Sequence, residues 1–238
     1  MDVIKHPIIF YLFGIIPVRD TVIMTWILMA IIILIVLLIK KTKPNLLELL
    51  IEFISGLVGD VLDVDNLNPY LPMLGSLFIF LVFANILSIV PGLNSPTADI
   101  NTTIALSLIV FFSVHYFGIR KKGLWGYLKT ISDPIYLLPL EIISQISRTL
   151  SLTLRLFGNI LSSDLIVAIV FSIVPLIAPI PLIALSLLTG ILQAYILTTL
   201  ATLYIASAVE INAEDEKMKQ SGKGRKLFSR KEALNGKS

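Results

Sequence analysis

Four charged side chains interrupt a long apolar stretch, and their types suit proton exchange around a fixed positive charge. Between positions 135 and 209 the charged residues are Glu141, Arg148, Arg155 and Asp164. A carboxyl group can take up and release a proton, whereas an arginine keeps its charge in any protein environment. Holding a charge at the centre of a bilayer costs about 3 kcal/mol on insertion scales. A chain that keeps Arg155 there therefore needs its charge.

The spacing of these residues predicts a polar stripe on one helix. At 100° per residue, the stripe climbs about five turns. Its members are Glu141, Ser144, Arg148, Arg155 and Asn159. Asp164 comes nine residues after Arg155, so it points to the opposite side of the helix, about 13.5 Å further along the axis. This pattern indicates two offset acidic sites with a cationic barrier between them, and it suits a continuous pore less well.

The last apolar segment adds polar residues on roughly one face. They are Ser186, Thr189, Gln193, Tyr204 and Ser207. Gln193 carries both a donor and an acceptor, so we expect it to bond Arg155 or ordered water. Three alternatives stay open: the hydroxyl groups only bond neighbouring helices, Glu141 only marks a helix end near the cytoplasmic interface, and Arg148 snorkels to that interface.

The composition is that of a membrane protein without a cofactor. Of 238 residues, 56% are hydrophobic and 15% are charged, against about 25% charged in soluble domains. The absence of cysteine excludes disulfides and thiolate metal sites. His6 and His115 are too far apart in the sequence to suggest a metal site, and we expect neither metal nor cofactor. Nucleotide and hydrolase motifs are also missing from the sequence, which disfavours an enzyme.

The hydropathy pattern predicts an all-α membrane protein with about five membrane-embedded helices and one interfacial amphipathic helix. The predicted spans are 21–39, 71–90, 100–119, 135–174 and 182–209, and the amphipathic helix is 46–64. That helix lies in the interface or packs on other protein. The last two spans exceed the roughly 20 residues that a bilayer needs, so we expect a long, strongly tilted hairpin.

The distribution of basic residues predicts domains and orientation. Residues 1–211 form a single membrane-embedded helical domain, and the polar, basic segment 212–238 is predicted to be a disordered tail. Basic clusters at 40–43, at 120–129 and in the tail favour the cytoplasmic side, whereas 91–98 has no Lys or Arg. We therefore expect a multi-pass protein of the bacterial plasma membrane, with the N-terminus outside and the C-terminus in the cytoplasm. The high pI of about 9.0 comes largely from the tail and these loops, so nucleic-acid binding is not expected.

One motif closely resembles a known family. Arg155-Leu-Phe-Gly-Asn159, preceded by Ser151-Leu-Thr-Leu and followed by an acid at 164, resembles subunit a of F-type ATP synthases. Pro96-Thr-Ala-Asp-Ile-Asn101, Asn85 and Leu192-Gln-Ala-Tyr-Ile196 strengthen the resemblance. It covers about residues 44–210.

The resemblance implies a non-catalytic stator subunit beside a ring of c subunits. Protons enter one aqueous half-channel, protonate a ring carboxylate, ride the rotating ring and leave through a second half-channel. Arg155 matches the essential arginine, which attracts the deprotonated carboxylate and blocks direct leakage. Asp164 matches an acidic position of the outer half-channel, and Gln193 matches the glutamine that faces the arginine.

The remaining matches are to channel positions and partners. Glu141 and Ser144 match positions of the cytoplasmic half-channel, and Asn85 and Asn159 match polar positions near the outer path. Ser186 stands where some members have a titratable His or Glu. The implied partners are the c-subunit ring, peripheral-stalk b subunits, the rest of the F-type ATP synthase and the lipid membrane.

Two other functions compete with this interpretation. A secondary transporter with an intramembrane charged site would often show an internal repeat, and the sequence has no evident one. An intramembrane enzyme is disfavoured because no nucleophile–base pair is evident.

Overall fold

The computed structural model describes most of the chain. Its described backbone covers 8–12, 16–62, 64, 66–88, 95–132, 138–174 and 178–235, and its side chains are described within 19–127, 139–174 and 178–209, except at 63, 65 and 89–94. The first part of the predicted turn at 91–96, and Pro175 in the predicted break before the last helix, lie outside the described residues.

The described elements are a short hairpin followed by six helices. They are β1 (Ile8–Leu12), β2 (Ile16–Arg19), α1 (Asp20–Thr42), α2 (Pro44–Gly59), α3 (Leu71–Leu87), a 3-10 turn (Pro96–Ala98), α4 (Ile100–Ser132), α5 (Leu138–Ile173) and α6 (Pro179–Asn235). The helices α1, α4, α5 and α6 are long and apolar enough to cross a membrane, and α3 is a shorter apolar helix. The predicted all-α membrane class is confirmed. The antiparallel pairing of β1 with β2 was not predicted.

The amphipathic helix α2 packs one side against the bundle. Ile54, Leu57 and Val58 are buried, whereas Leu49 and Ile51 are exposed. The side chain of Ile54 lies 3.7 Å from where a Cβ of Gly75 on α3 would be. The helix thus packs on this protein along one side, and its position in the membrane interface stays a prediction.

The helix α4 has a sharp kink after its basic cluster. Gly123 has φ 71° and ψ 160°, a backbone conformation that glycine adopts without steric cost. The kink turns the chain so that the Tyr127 ring packs on the backbone of Gly118, where a Cβ would collide with it. The part of α4 that is long and apolar enough to cross a membrane is Ile100–Tyr127.

The core lies between α3, α4, α5 and α6. Small or hydroxyl side chains on α6 are fully buried there, which lets neighbouring helices approach closely. They are Ala194, Thr198, Ala201, Thr202 and Ala206. The helix α1 stands at the edge of this bundle, and its buried residues are Asp20, Thr21 and Leu28.

The last two helices carry the predicted polar residues. The helix α5 has 36 residues, about 54 Å at 1.5 Å per residue, against a hydrocarbon core of about 30 Å. The helix α6 starts at Pro179, because proline is compatible with a first helical turn. Its backbone remains helical to Asn235, which differs from the disorder that composition predicts for 212–238; the division of the chain into domain and tail stays a prediction.

Candidate functional site

Arg155 projects from an open face of α5. Its side chain is exposed, and it makes no hydrogen bond or ion pair with any side chain that the structure describes. Ser151 and Ser162 lie within about 40° of it on the helix and are also exposed. Leu152 and Leu156, about 60° and 100° round the helix from Arg155, are buried in the core. The arginine is therefore positioned by a packed helix but faces away from the rest of the chain.

Asp164 lies on the opposite side of the same helix. Because α5 runs without interruption from Leu138 to Ile173, the angular separation expected from the sequence holds, and Asp164 is about 13.5 Å from Arg155 along the axis. Its side chain is half-buried. The acidic group and the arginine thus belong to different surfaces at different heights.

The first turns of α5 carry a second acidic site. The amide of Gln145 donates to Oε1 of Glu141 over 3.1 Å, and both side chains are half-buried. Ser144 is half-buried on the same part of the helix. Glu141 therefore has a polar neighbour one turn along the helix, on the side that leads toward Arg155.

The Arg148 side chain lies against α6. Its guanidinium carbon lies 5.2 Å from the centroid of the Tyr204 ring on α6, within the range of a cation–π interaction. The sequence placed Arg148 in the polar stripe of α5. It did not predict the contact with Tyr204, because no local pattern shows which residue of α6 faces Arg148.

Gln193 is buried and incompletely hydrogen-bonded. The side chain is 7% exposed, and its Nε2 has no hydrogen-bond partner within the described part of the chain. Arg155 could bond only the amide oxygen of Gln193, since a guanidinium has no acceptor, and no such bond is present among the described residues. Buried amide groups are nearly always paired, so this donor is available to water or to a partner.

Asn85 clamps two helices together. Its Nδ2 donates to the carbonyl of Leu81 over 2.8 Å and to that of Gly190 on α6 over 2.9 Å. A Cβ on residue 190 would lie only 2.8 Å from the Cβ of Asn85, so the contact requires a glycine at this position. Gln193 follows Gly190 by one turn. The structure thus gives Asn85 a packing contact beside the buried glutamine.

The other predicted residues, Asn159 and Ser186, are half-buried. The carbonyl of Ser186 accepts a bond of 3.0 Å from the Thr189 hydroxyl. Glu141 and Asp164 lie toward opposite ends of α5, with Arg155 between them along the chain. The described residues form two separate groups rather than one compact site.

Asp99, within the motif Pro96-Thr-Ala-Asp-Ile-Asn101, is a buried polar centre. Its carboxylate is 3% exposed and accepts bonds from the Thr21 hydroxyl and from both the backbone and side-chain nitrogens of Asn101, each over 2.9 Å. Arg19 lies 3.5 Å away. This cluster ties the start of α1 to the start of α4.

A second contact that the sequence did not reveal joins α4 to α5. The hydroxyls of Ser107 and Thr153 are 2.6 Å apart and buried. Thr153 is two residues from Arg155. This pair therefore fixes the helix face opposite the arginine.

Comparison with known proteins identifies the family. The family model described as ATP synthase A chain matches residues 22–206. The chain is 46% identical over 208 residues to ATP synthase subunit a 2 of Bradyrhizobium sp. (strain BTAi1), covering 83% of this chain and 93% of that protein. It is 37% identical over 226 residues to ATP synthase subunit a 2 of Picosynechococcus sp., covering 91% and 97%. The chain belongs to the ATP synthase subunit a family.

Membership in the subunit a family establishes the general function. Another similar protein is ATP synthase subunit a of Albidiferax ferrireducens, 41% identical over 211 residues, covering 84% of this chain and 91% of that protein. Subunit a is a membrane-sector, proton-channel subunit of the F-type ATP synthase and not a catalytic subunit. The protein is accordingly a multi-pass membrane protein that takes part in ATP synthesis and proton transport.

Proposed function

We propose that this chain forms two offset proton half-channels against a c-subunit ring, with Arg155 between them. The observation that carries the proposal is the exposed guanidinium of Arg155, which has no hydrogen-bond or ion-pair partner among the described residues. Asp164 lies on the opposite side of the helix and Glu141 toward its start. A single polar channel would instead place these groups along one continuous surface.

The charge on Arg155 requires a partner from outside this chain. A guanidinium facing hydrocarbon costs about 3 kcal/mol, and a carboxylate on the approaching ring removes much of that cost by a charge-assisted hydrogen bond. Because arginine does not deprotonate, it cannot relay a proton itself. It therefore attracts an ionised ring carboxylate and prevents protons from passing directly between the half-channels.

Each half-channel is assigned an acidic residue from one end of α5. To the outer path we assign Asp164 together with Asn159, Ser186 of α6 and Asn85 of α3, and to the inner path Glu141 and Ser144. Gln193 supports the ring carboxylate or water beside Arg155, since its amide nitrogen has a free donor. Ser186 cannot titrate, so the outer path depends on Asp164 and water.

The remaining partners and the orientation follow the charge distribution. We assign the basic clusters at 40–43 and 120–122 to the cytoplasmic side by the positive-inside bias, with the N-terminus outside. Peripheral-stalk b subunits hold the chain fixed while the ring turns.

Cross-linking to the ring tests the proposal directly. The chain has no cysteine, so single cysteines at Ser151 and Ser162 report on the exposed face with a nearly isosteric change. Each is paired with a cysteine near the membrane carboxyl group of subunit c and oxidised in membranes. Leu152→Cys, at a site 3% exposed on the buried side of the same helix, is the matched control.

We expect both serine-site cysteines to form a–c cross-links and the Leu152 site to form none. Equal cross-linking from all three positions, or from the buried position alone, would contradict a ring-facing Arg155.

A further inference from the structure

The helix α5 carries two arginines on one side with different surroundings. Arg148 precedes Arg155 by two turns, about 10.5 Å along the axis and within about 20° of the same direction. Arg155 is exposed, whereas Arg148 is half-buried beneath α6. The two arginines are therefore expected to have different roles, since only Arg155 is open to a partner outside the chain.

The ring of Tyr204 fixes the position of the Arg148 guanidinium. The guanidinium carbon lies 5.2 Å from the ring centroid, and no hydrogen bond or ion pair connects Arg148 to another residue in the described ranges. The aromatic ring is thus the contact that determines where this charge rests.

A small recess lies beside the stacked pair. It has a volume of about 20 Å³, and its lining residues are Gln145, Arg148, Thr149 and Tyr204 together with the apolar residues Val110, Phe111, Val114 and Leu152. A water molecule needs about 10–15 Å³ and two to four polar partners. The volume is sufficient for one water molecule, and four of the lining residues carry polar groups.

The recess connects to Glu141. Gln145, which lines it, donates a hydrogen bond of 3.1 Å to the Glu141 carboxylate, and Thr149 lies one turn further toward Arg155. A line of polar groups thus runs along α5 from the acidic residue into the recess. It lies on the part of the helix to which we assign the inner path.

We propose that Tyr204 is a positioning residue that holds the Arg148 guanidinium out of this recess, which is a water site of the inner proton path. The proposal rests on the proposed function. Without the ring, the guanidinium swings into the recess and pairs with the Glu141 carboxylate, because a two-turn separation on one helix side is within reach of these long side chains. The ion pair displaces the water and occupies the carboxylate that the inner path needs.

Three variants of the complete ATP synthase in inverted membrane vesicles test this role. ATP-driven acidification is measured for Tyr204→Phe, Tyr204→Leu and the double variant Arg148→Gln/Tyr204→Leu, after normalising for assembled complex. A cation–π contact changes the ratio between the two positions of the guanidinium, against the ring and in the recess, by about fivefold. We therefore expect Tyr204→Phe to pump normally, Tyr204→Leu to pump about fivefold more slowly, and the double variant to recover most of that loss.

The double variant separates positioning from packing. If Tyr204 only fills space, Arg148→Gln/Tyr204→Leu pumps no faster than Tyr204→Leu, and the inference is wrong. Equal loss in Tyr204→Phe and Tyr204→Leu would also overturn it, since the hydroxyl would then matter and the ring would not. Every variant keeps Arg155, so normal pumping by Tyr204→Leu beside an inactive Arg155 variant would refute this inference and leave the proposed function intact.

Discussion

The side-chain amide of Asn85 on α3 donates a hydrogen bond of 2.9 Å to the backbone carbonyl of Gly190 on α6. Such a contact requires close approach of the two helices, which the missing side chain of Gly190 permits. Because Gln193 follows by one turn, the same contact sets the height and direction of the buried glutamine. The geometry of the site thus depends on helix clamps away from the charged residues.

Gly190→Ala should loosen this clamp. The new Cβ would lie 2.8 Å from the Cβ and 3.0 Å from the Cγ of Asn85, so α3 and α6 must move apart. We expect a loss of about 1–3 kcal/mol in the free energy of unfolding, measured by denaturant titration of the purified subunit in detergent. Gly56→Ala on α2, which has no atom within 4 Å of its Cβ site, is the control and should be neutral or slightly stabilising. Unchanged stability of Gly190→Ala would refute the clamp.

The hydroxyl pair between Ser107 and Thr153 should couple α4 to α5. A double-mutant cycle with Ser107→Ala and Thr153→Val removes each hydroxyl separately and together. Since the two oxygens are 2.6 Å apart and buried, we expect a coupling energy of about 0.6 kcal/mol, as is average for such bonds in membranes. The measurement is the free energy of unfolding of all four proteins. Additive effects would mean that the bond does not contribute.

The carboxylate of Asp99 should matter far more than its charged neighbour. Asp99→Ala leaves the buried hydroxyl of Thr21 without an acceptor, at about 1–3 kcal/mol, and also removes the acceptor of the two Asn101 nitrogens. Arg19→Gln should change stability by less than about 1 kcal/mol, because Arg19 is 43% exposed and 3.5 Å from the carboxylate. Protease sensitivity of α1 in detergent is the readout. Similar sensitivity of both variants would contradict this ranking.

Gln193→Leu should separate stability from function. The substitution removes a buried amide nitrogen that has no partner among the residues the structure describes, so the free energy of unfolding should stay the same or rise by about 1 kcal/mol. Proton pumping should fall, since the donor that serves the ring carboxylate or water is lost. Both quantities are measured on the same preparation, by denaturation and by vesicle acidification. Parallel loss of stability and pumping would make Gln193 a packing residue.

Features that depend on local periodicity were predictable from the sequence. The continuous run of α5 and the opposite directions of Arg155 and Asp164 follow from 100° per residue, and no tertiary contact interferes with them. The cap at Asp99 was also foreseeable, because Thr97 and Asp99 stand before an apolar run.

Contacts between distant segments were not predictable. The bond from Asn85 to Gly190 joins residues 105 positions apart, and the stacking of Arg148 on Tyr204 depends on the rotation of α6 against α5. The hairpin of β1 and β2 was missed because its apolar residues resemble part of a membrane segment. In each case the contact depends on how two helices or strands pack against each other, and the sequence pattern of a single segment does not contain that information.

The most direct test of the central claim is ATP-driven proton pumping by Arg155→Ala in inverted vesicles. Arg19→Gln, which also removes one arginine charge but lies at the far end of α1, serves as the control. We predict normal ATP-driven acidification in the control, with or without sodium in the buffer. In Arg155→Ala, acidification should be absent although the complex assembles and hydrolyses ATP. Full coupling in Arg155→Ala would contradict the account.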